Sequence, residues 1–106
     1  MDETWKTIER LCDRLDAESP VQGRTGRLLR ILKIGEEYGE VAGALRGLLG
    51  SDPGTRRSHT LDDVCNGLSD VIVTSMVALA SIADEPGEAG EVFTARLREI
   101  AGRLPR

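Results

Sequence analysis

Apolar residues recur at three- and four-residue steps along most of the chain, and this pattern predicts four helices. The first spans about Glu3 to Asp16, with Trp5, Ile8, Leu11, Cys12 and Leu15 on one stripe. "AESPVQG" breaks it, with Pro20 and Gly23 as punctuation. The second spans about Thr25 to Leu49, and Leu28, Leu32, Tyr38, Val41, Leu45 and Leu48 keep its period. "GSDPGTRRSH" reads as a loop, after which Thr60 suits an N-cap and Asp62 and Asp63 suit a first helical turn. The third helix spans about Leu61 to Ala83 and is apolar almost all round after Asp70, as expected of a central helix or one buried in an oligomer. "DEPGEAG" ends it. The fourth spans about Glu88 to Arg103, with Val92, Phe93, Leu97, Ile100 and Leu104 as its stripe. No strand alternation or internal repeat interrupts this all-α, single-domain reading of residues 1–106.

Glycine changes the picture of the second helix. Gly35, Gly39, Gly43 and Gly47 recur every four residues, and each costs roughly 1 kcal/mol against Ala in a helix interior. Either another backbone approaches this stripe closely, or the spacing reflects high glycine usage.

Composition narrows the function classes. Lys and Arg number 14 against 18 Asp and Glu, for a net charge of -4. That balance argues against general nucleic-acid binding, which needs basic charge to displace counterions. The longest apolar run, Val71–Ala83, is shorter than the roughly 20 residues of a bilayer span and includes three hydroxyls. No membrane association is therefore expected. "MDETWKTIER" is charged and amphipathic, unlike a secretory leader, and Cys12 and Cys65 have no metal spacing. Free thiols and a cytoplasmic location are expected.

The candidate chemistry is acidic. Glu36, Glu37 and Glu40 crowd into five positions of the second helix and can point to roughly one side of it. Asp70 stands at the entrance to the most apolar segment, and no basic residue lies within Asp63–Ala83. Acids in such a place are paired or bound to metal when buried. A hard divalent ion bridging helices two and three would neutralise them, and Mg²⁺ takes oxygen ligands of this kind. A plainer reading makes the three glutamates a solvated face paired with Lys33 or Arg46.

The stretches Arg27–Leu45, "RLLRILKIGEEYGEVAGAL", and Ser58–Ser81, "SHTLDDVCNGLSDVIVTSMVALAS", resemble the MazG-like all-α nucleotide pyrophosphohydrolases, specifically the short actinobacterial-type members. The resemblance covers most of the chain to about Ala83. It implies helical protomers in a homodimer or homotetramer that cleaves nucleoside triphosphates to monophosphate and pyrophosphate with Mg²⁺, Mn²⁺ being a possible substitute. Noncanonical or modified nucleotides are substrates in keeping with this class. It further implies metal ligands at Glu37, Glu40 and Asp70. The fourth ligand, a Glu three residues before Asp70, does not carry over, because Gly67 stands there. Asp63, one turn further back, could reach the ion through water or serve only as a helix N-terminal acid. The departure leaves two expectations: an enzyme, or an inactive relative that binds a nucleotide or a protein.

Within the enzyme reading, Glu36 could orient or deprotonate the attacking water. Lys33, Arg56 and Arg57 could contact phosphate, although Lys33 could equally pair with Glu37 and the two arginines could be a solvated loop. Arg24, Arg27, Arg30 and Lys33 step by three, as a phosphate-facing ridge or as ordinary charged surface. His59 is alone, so a histidine-based site has no support. No glycine-rich phosphate loop is present. Trp5 and Tyr38 could stack on a base or belong to the core.

Overall fold

A computed structural model of the chain describes residues 2–50 and 58–105. Among these residues all regular structure is helical: α1 Glu3–Glu18, α2 Gly23–Leu49, α3 Leu61–Ile82 and α4 Glu88–Ala101. The expected order and the Leu61 start of α3 hold, and the other ends shift by two residues at most. Local chemistry explains the starts. The Asp2 carboxylate accepts from the Trp5 amide at 3.0 Å and caps α1. Thr60 and Asp63 form a reciprocal capping box at the head of α3, with the Thr60 amide donating to Asp63 at 2.8 Å. Gly87, at φ +85°, makes the left-handed turn into α4, a conformation that side-chain-bearing residues rarely adopt. Its amide donates to the Glu9 carboxylate at 2.9 Å, which ties this turn to α1.

α3 is the centre, packed against α1, α2 and α4. It is long and apolar enough to cross a membrane by composition, yet its contacts make it the spine of the bundle. α2 runs antiparallel to it. Among the positions α2 buries or half-buries, Gly26, Arg30, Ile34, Glu37, Val41, Ala44 and Leu48 follow one another at steps of three and four. α3 answers with Val64, Gly67, Val71, Thr74, Ala78 and Ser81 at the same spacing. This is a heptad seam, the pattern that keeps two helices in contact over many turns. Small residues at Gly67, Ala78 and Ser81 draw it close. A second core lies on the other side of α3, where Trp5, Ile8 and Cys12 of α1 meet Val77 and, from α4, Ala89. The Trp5 and Phe93 rings sit 6.1 Å apart and tilted, so Trp5 is a core residue.

One sequence expectation needs correction, and one open alternative narrows. The single stripe on α2 divides: Val41 and Leu48 face α3, whereas Leu28, Leu32, Tyr38 and Leu45 are exposed. Among the described residues the glycine stripe is approached by another backbone only at Gly47, whose carbonyl accepts from the Ser58 amide at 3.0 Å. A Cβ at Gly35, Gly39 or Gly43 would meet nothing within 4 Å, and only Gly47 is covered, by Ser58 and the His59 ring.

Arg30 departs furthest from the expected charged ridge. Its side chain is only 12 % exposed. One guanidinium nitrogen donates to Ser81 Oγ at 2.8 Å and the other to Asp16 Oδ1 at 2.8 Å. Ser81 Oγ donates in turn to the Val77 carbonyl at 2.7 Å, beside the Cys12 thiol at 3.6 Å. One cation thereby links α1, α2 and α3. Burial pushes the Cys12 thiol above its ordinary pKa. Both cysteines are free, as expected, with Cys65 exposed.

The single chain is open. Its radius of gyration is 16.9 Å, against about 13 Å for a compact domain of this length. Its accessible surface is 8044 Å², against about 5,800 Å² for a folded monomer of its mass.

Arg30→Met should cost about 1.5–3 kcal/mol, the range for hydrogen bonds to a charged group, in urea unfolding. Asp16→Asn should cost less, because Asp16 is 44 % exposed. Equal stability of Arg30→Met and wild type would remove the three-helix junction. Thr60→Ala should cost about 1 kcal/mol through the lost cap. The same cap has a pH signature. The Thr60 amide, helped by its hydroxyl, holds the Asp63 carboxyl below its ordinary value of 3.8. The capping contribution is therefore complete above that value and lost as pH falls through the lower folded value. Amide exchange at Asp63 and Val64 should accelerate in that acid window and not at neutral pH.

Candidate functional site

The acidic cluster lies on one edge of the α2–α3 seam. Helical phase puts Lys33, Glu36 and Glu40 on the same side of α2, with Glu37 turned into the seam itself. Two cross-links set the register: the Gly67–Val41 contact and the Arg30–Ser81 bond. In that antiparallel register Asp70 comes level with the Glu37–Glu40 turn and projects from the same edge.

What neutralises the acids is now visible. Lys33 Nζ donates to Glu36 at 3.1 Å and stands 3.8 Å from Glu37. The Glu36 bond, followed by the charges of Glu36 and Glu37, raises the Lys33 pKa above its ordinary value. Glu36 is 67 % exposed and Glu37 15 %. Glu37 is therefore the one carboxylate of the trio drawn into the fold, and its cation is shared with a neighbour that holds it more closely. Glu40 and Asp70 are exposed. Asp70 was expected to need a partner if buried in its apolar helix, but it is exposed. Among the described residues, no three His, Cys, Asp or Glu side chains converge as a ready-made metal cage. Asp63 is engaged in the capping box, in keeping with its reading as a helix N-terminal acid. Arg56 and Arg57 lie outside the described residues.

Gly67 has a specific neighbour. A Cβ there would come within 2.8 Å of Val41 Cγ2. Val41 occupies the space a side chain at position 67 would take, one residue beyond Glu40. The glycine at the expected ligand position is thus part of the helix packing.

Beside the acidic edge, a groove of about 750 Å³ opens between α1 and the α2–α3 pair. Leu11, Leu15, Leu29 and Val73 line it, and Arg14 and Lys33 stand on its rim. Lys33 therefore borders both the groove and the acids. The sequence pattern did not indicate this groove, because Leu11 and Leu15 read as core residues of the α1 stripe. The signal that could have shown it is the excess of apolar positions on α1 and α2 over what three-helix contact can cover.

The chain matches no family model, no curated protein and no solved structure.

At this site, Lys33→Met should release Glu36 and Glu37 from their common cation and increase the mutual repulsion of the trio. Because the pairs are largely solvent-screened, the expected loss of stability is small, within about 1 kcal/mol. It should shrink further when salt is raised from low to molar concentration. A loss that is large and independent of salt would mean that Lys33 acts through packing.

Proposed function

We propose that this chain is a Mg²⁺-dependent nucleoside triphosphate pyrophosphohydrolase of the MazG-like kind, with turnover limited by Gly67. The reading rests on sequence resemblance. The observation that carries it in three dimensions is Glu37: a carboxylate sunk in the α2–α3 seam with a shared cation, level with Asp70 across the seam. Glu37, Glu40 and Asp70 offer oxygen only, and Mg²⁺ is commonly held through one or two carboxylates with water and substrate phosphates completing its shell. The donor types suit that ion, Mn²⁺ included, while among the described residues their side chains do not converge into a ready-made group.

When bound, the ion would polarise phosphoryl oxygens and lower the pKa of a coordinated water. The chain's own residues have separable roles. Lys33, on the rim of the groove, supplies the positive charge for a phosphate oxygen. Glu36, freed from Lys33 by that phosphate, accepts the proton of the attacking water. The water oxygen bonds to the α-phosphorus, the bond from that phosphorus to the β-bridging oxygen breaks, and pyrophosphate leaves with the electron pair. The adjoining apolar groove suits the base and sugar. Noncanonical or modified nucleotides are the proposed substrate class.

A second reading has its own observation. Val41 fills the space beside Gly67, so this chain has one carboxylate fewer and a packing that closes over its place. A protein that binds nucleotide without turning it over, or that binds a protein partner as a helical oligomer, would tolerate that arrangement.

Pyrophosphate release from a panel of triphosphates, with and without Mg²⁺, separates the readings. The enzyme reading expects metal-dependent release that Glu37→Gln abolishes. Calorimetry should show Mg²⁺ binding weakened in Glu40→Gln and in Asp70→Asn. Unchanged binding in both would leave these carboxylates as surface features. Gly67→Glu alone should be destabilised by about 1–3 kcal/mol through the Val41 clash. Gly67→Glu with Val41→Ala makes room, and should raise Mg²⁺ affinity and turnover above wild type. A folded double variant with neither gain would favour binding without catalysis.

A further inference from the structure

The groove between α1 and the α2–α3 pair has aliphatic walls and a cationic wall segment. Leu11 and Leu15 come from α1, Leu29 from α2 and Val73 from α3. The charged side chains that line it are Arg14, Arg30 and Lys33 against Glu18 alone. Glu18 is taken by Arg14 at 3.0 Å. Arg30 and Lys33, one helical turn apart on α2, are therefore cations that the groove itself does not neutralise. Their acidic partners, Asp16 and Glu36, do not line it. This excess of positive charge stands in a chain whose net charge is -4.

Arg30 is already fixed in place. Its side chain is only 12 % exposed, and bonds to Ser81 and Asp16 hold it. A guanidinium carries five N–H donors, and those two bonds leave others without an acceptor among the described residues. Because the side chain lines the groove, an acceptor can reach them from there. Lys33 is held differently. Its bond to Glu36 joins two exposed groups and contributes little to stability, so the ammonium can turn to a new anion at small cost.

We propose that the groove binds an amphiphilic carboxylate of medium chain length, with its tail on the four aliphatic side chains and its head between Arg30 and Lys33. Three observations select this occupant. Charge is the first: the two uncompensated cations call for an anion, and a guanidinium matches a carboxylate in geometry. Size is the second: about 750 Å³ falls within the roughly 300–1,000 Å³ of small-molecule sites. The α1 wall from Leu11 to Glu18 is roughly 10 Å long, which suits a medium alkyl chain. Closure is the third. Ser19, Pro20 and Val21, the link from α1 to α2, border the groove at one end. The Val21 carbonyl packs onto Gly26 so closely that a Cβ there would clash, which holds the link down on α2. A trough stopped at one end admits a short ligand more readily than a helix running through it. The groove is the one offered above to a base and sugar, but this inference rests on binding alone. Its test contains neither Mg²⁺ nor triphosphate, so its failure and that of the enzymatic reading are separate results.

Calorimetry of the full chain with decanoate, octanoate, decanol and decyltrimethylammonium, each below its micelle concentration, provides the test. Decanoate should bind saturably below about 1 mM. Octanoate should bind roughly 15-fold more weakly, since each buried methylene is worth about fourfold. Decanol and decyltrimethylammonium should bind at least about 10-fold more weakly than decanoate, because a hydrogen bond to a charged head is lost or its charge reversed. Lys33→Met should weaken decanoate by roughly 10-fold and leave decanol unchanged. Val73→Trp, which fills the groove from a partly exposed position, should abolish binding of both. Leu97→Lys, on the exposed stripe of α4, should alter neither. Four results would overturn the proposal: no saturable binding, decanol as tight as decanoate, wild-type affinity in Val73→Trp, or loss of binding in Leu97→Lys. A decanoate affinity that falls as protein concentration rises would also overturn it, by giving the groove to a second copy of the chain. If a variant fails to fold, the ligand series on wild type still decides.

Discussion

The mutual placement of α1, α2 and α3 turns on the Arg30 guanidinium. A cation drawn into a bundle is costly unless its donors are matched, and here the matching groups come from α1 and α3 while the cation comes from α2. The three helices can satisfy it only in one relative placement. The heptad seam alone would permit a slip of one repeat along α2, since small residues recur at several of its α3 positions. The bond to Ser81 removes that freedom, and the bond to Asp16 sets α1 across the pair. The register that brings Asp70 level with Glu37 is a product of this junction several turns away.

The acidic edge shows the opposite principle. Its charges are largely in water, so the fold neither needs nor excludes them. Lys33 satisfies the two nearest carboxylates at the low cost of surface pairing. Glu40 and Asp70 are left without a folding role that the described contacts reveal. Side chains that contribute little to stability yet share one edge beside an apolar groove are the residues on which a binding function can rest.

Much of the fold was legible in the sequence because it is written in local terms. Pro20, Gly23, Thr60 and the "DEPGEAG" break bound the helices by backbone preference, and these signals do not require knowledge of neighbours. Which apolar residues become core was less legible. Leu28, Tyr38 and Leu45 obey the same period as Val41, and periodicity cannot tell a face met by the chain itself from a face that is not. Arg30 was misread for a related reason: spacing showed a row of cations, and only the depth of Ser81 and Asp16 distinguishes one of them from the rest. For the site, the sequence showed which carboxylates share an edge. It could not show that Lys33 is divided between two of them, or that position 67 is packed against Val41.

That last contact has a consequence for how the chain can be altered. Two residues that compete for one volume do not change independently. With Val41 in place, a carboxylate at position 67 is penalised by packing before it can confer any benefit in binding. With a smaller residue at 41 and glycine still at 67, the seam contains a void. Each single step between the two arrangements is therefore expected to cost stability, even if both endpoints are sound. Val41 and Gly67 therefore behave as one packing unit, to be exchanged together or not at all.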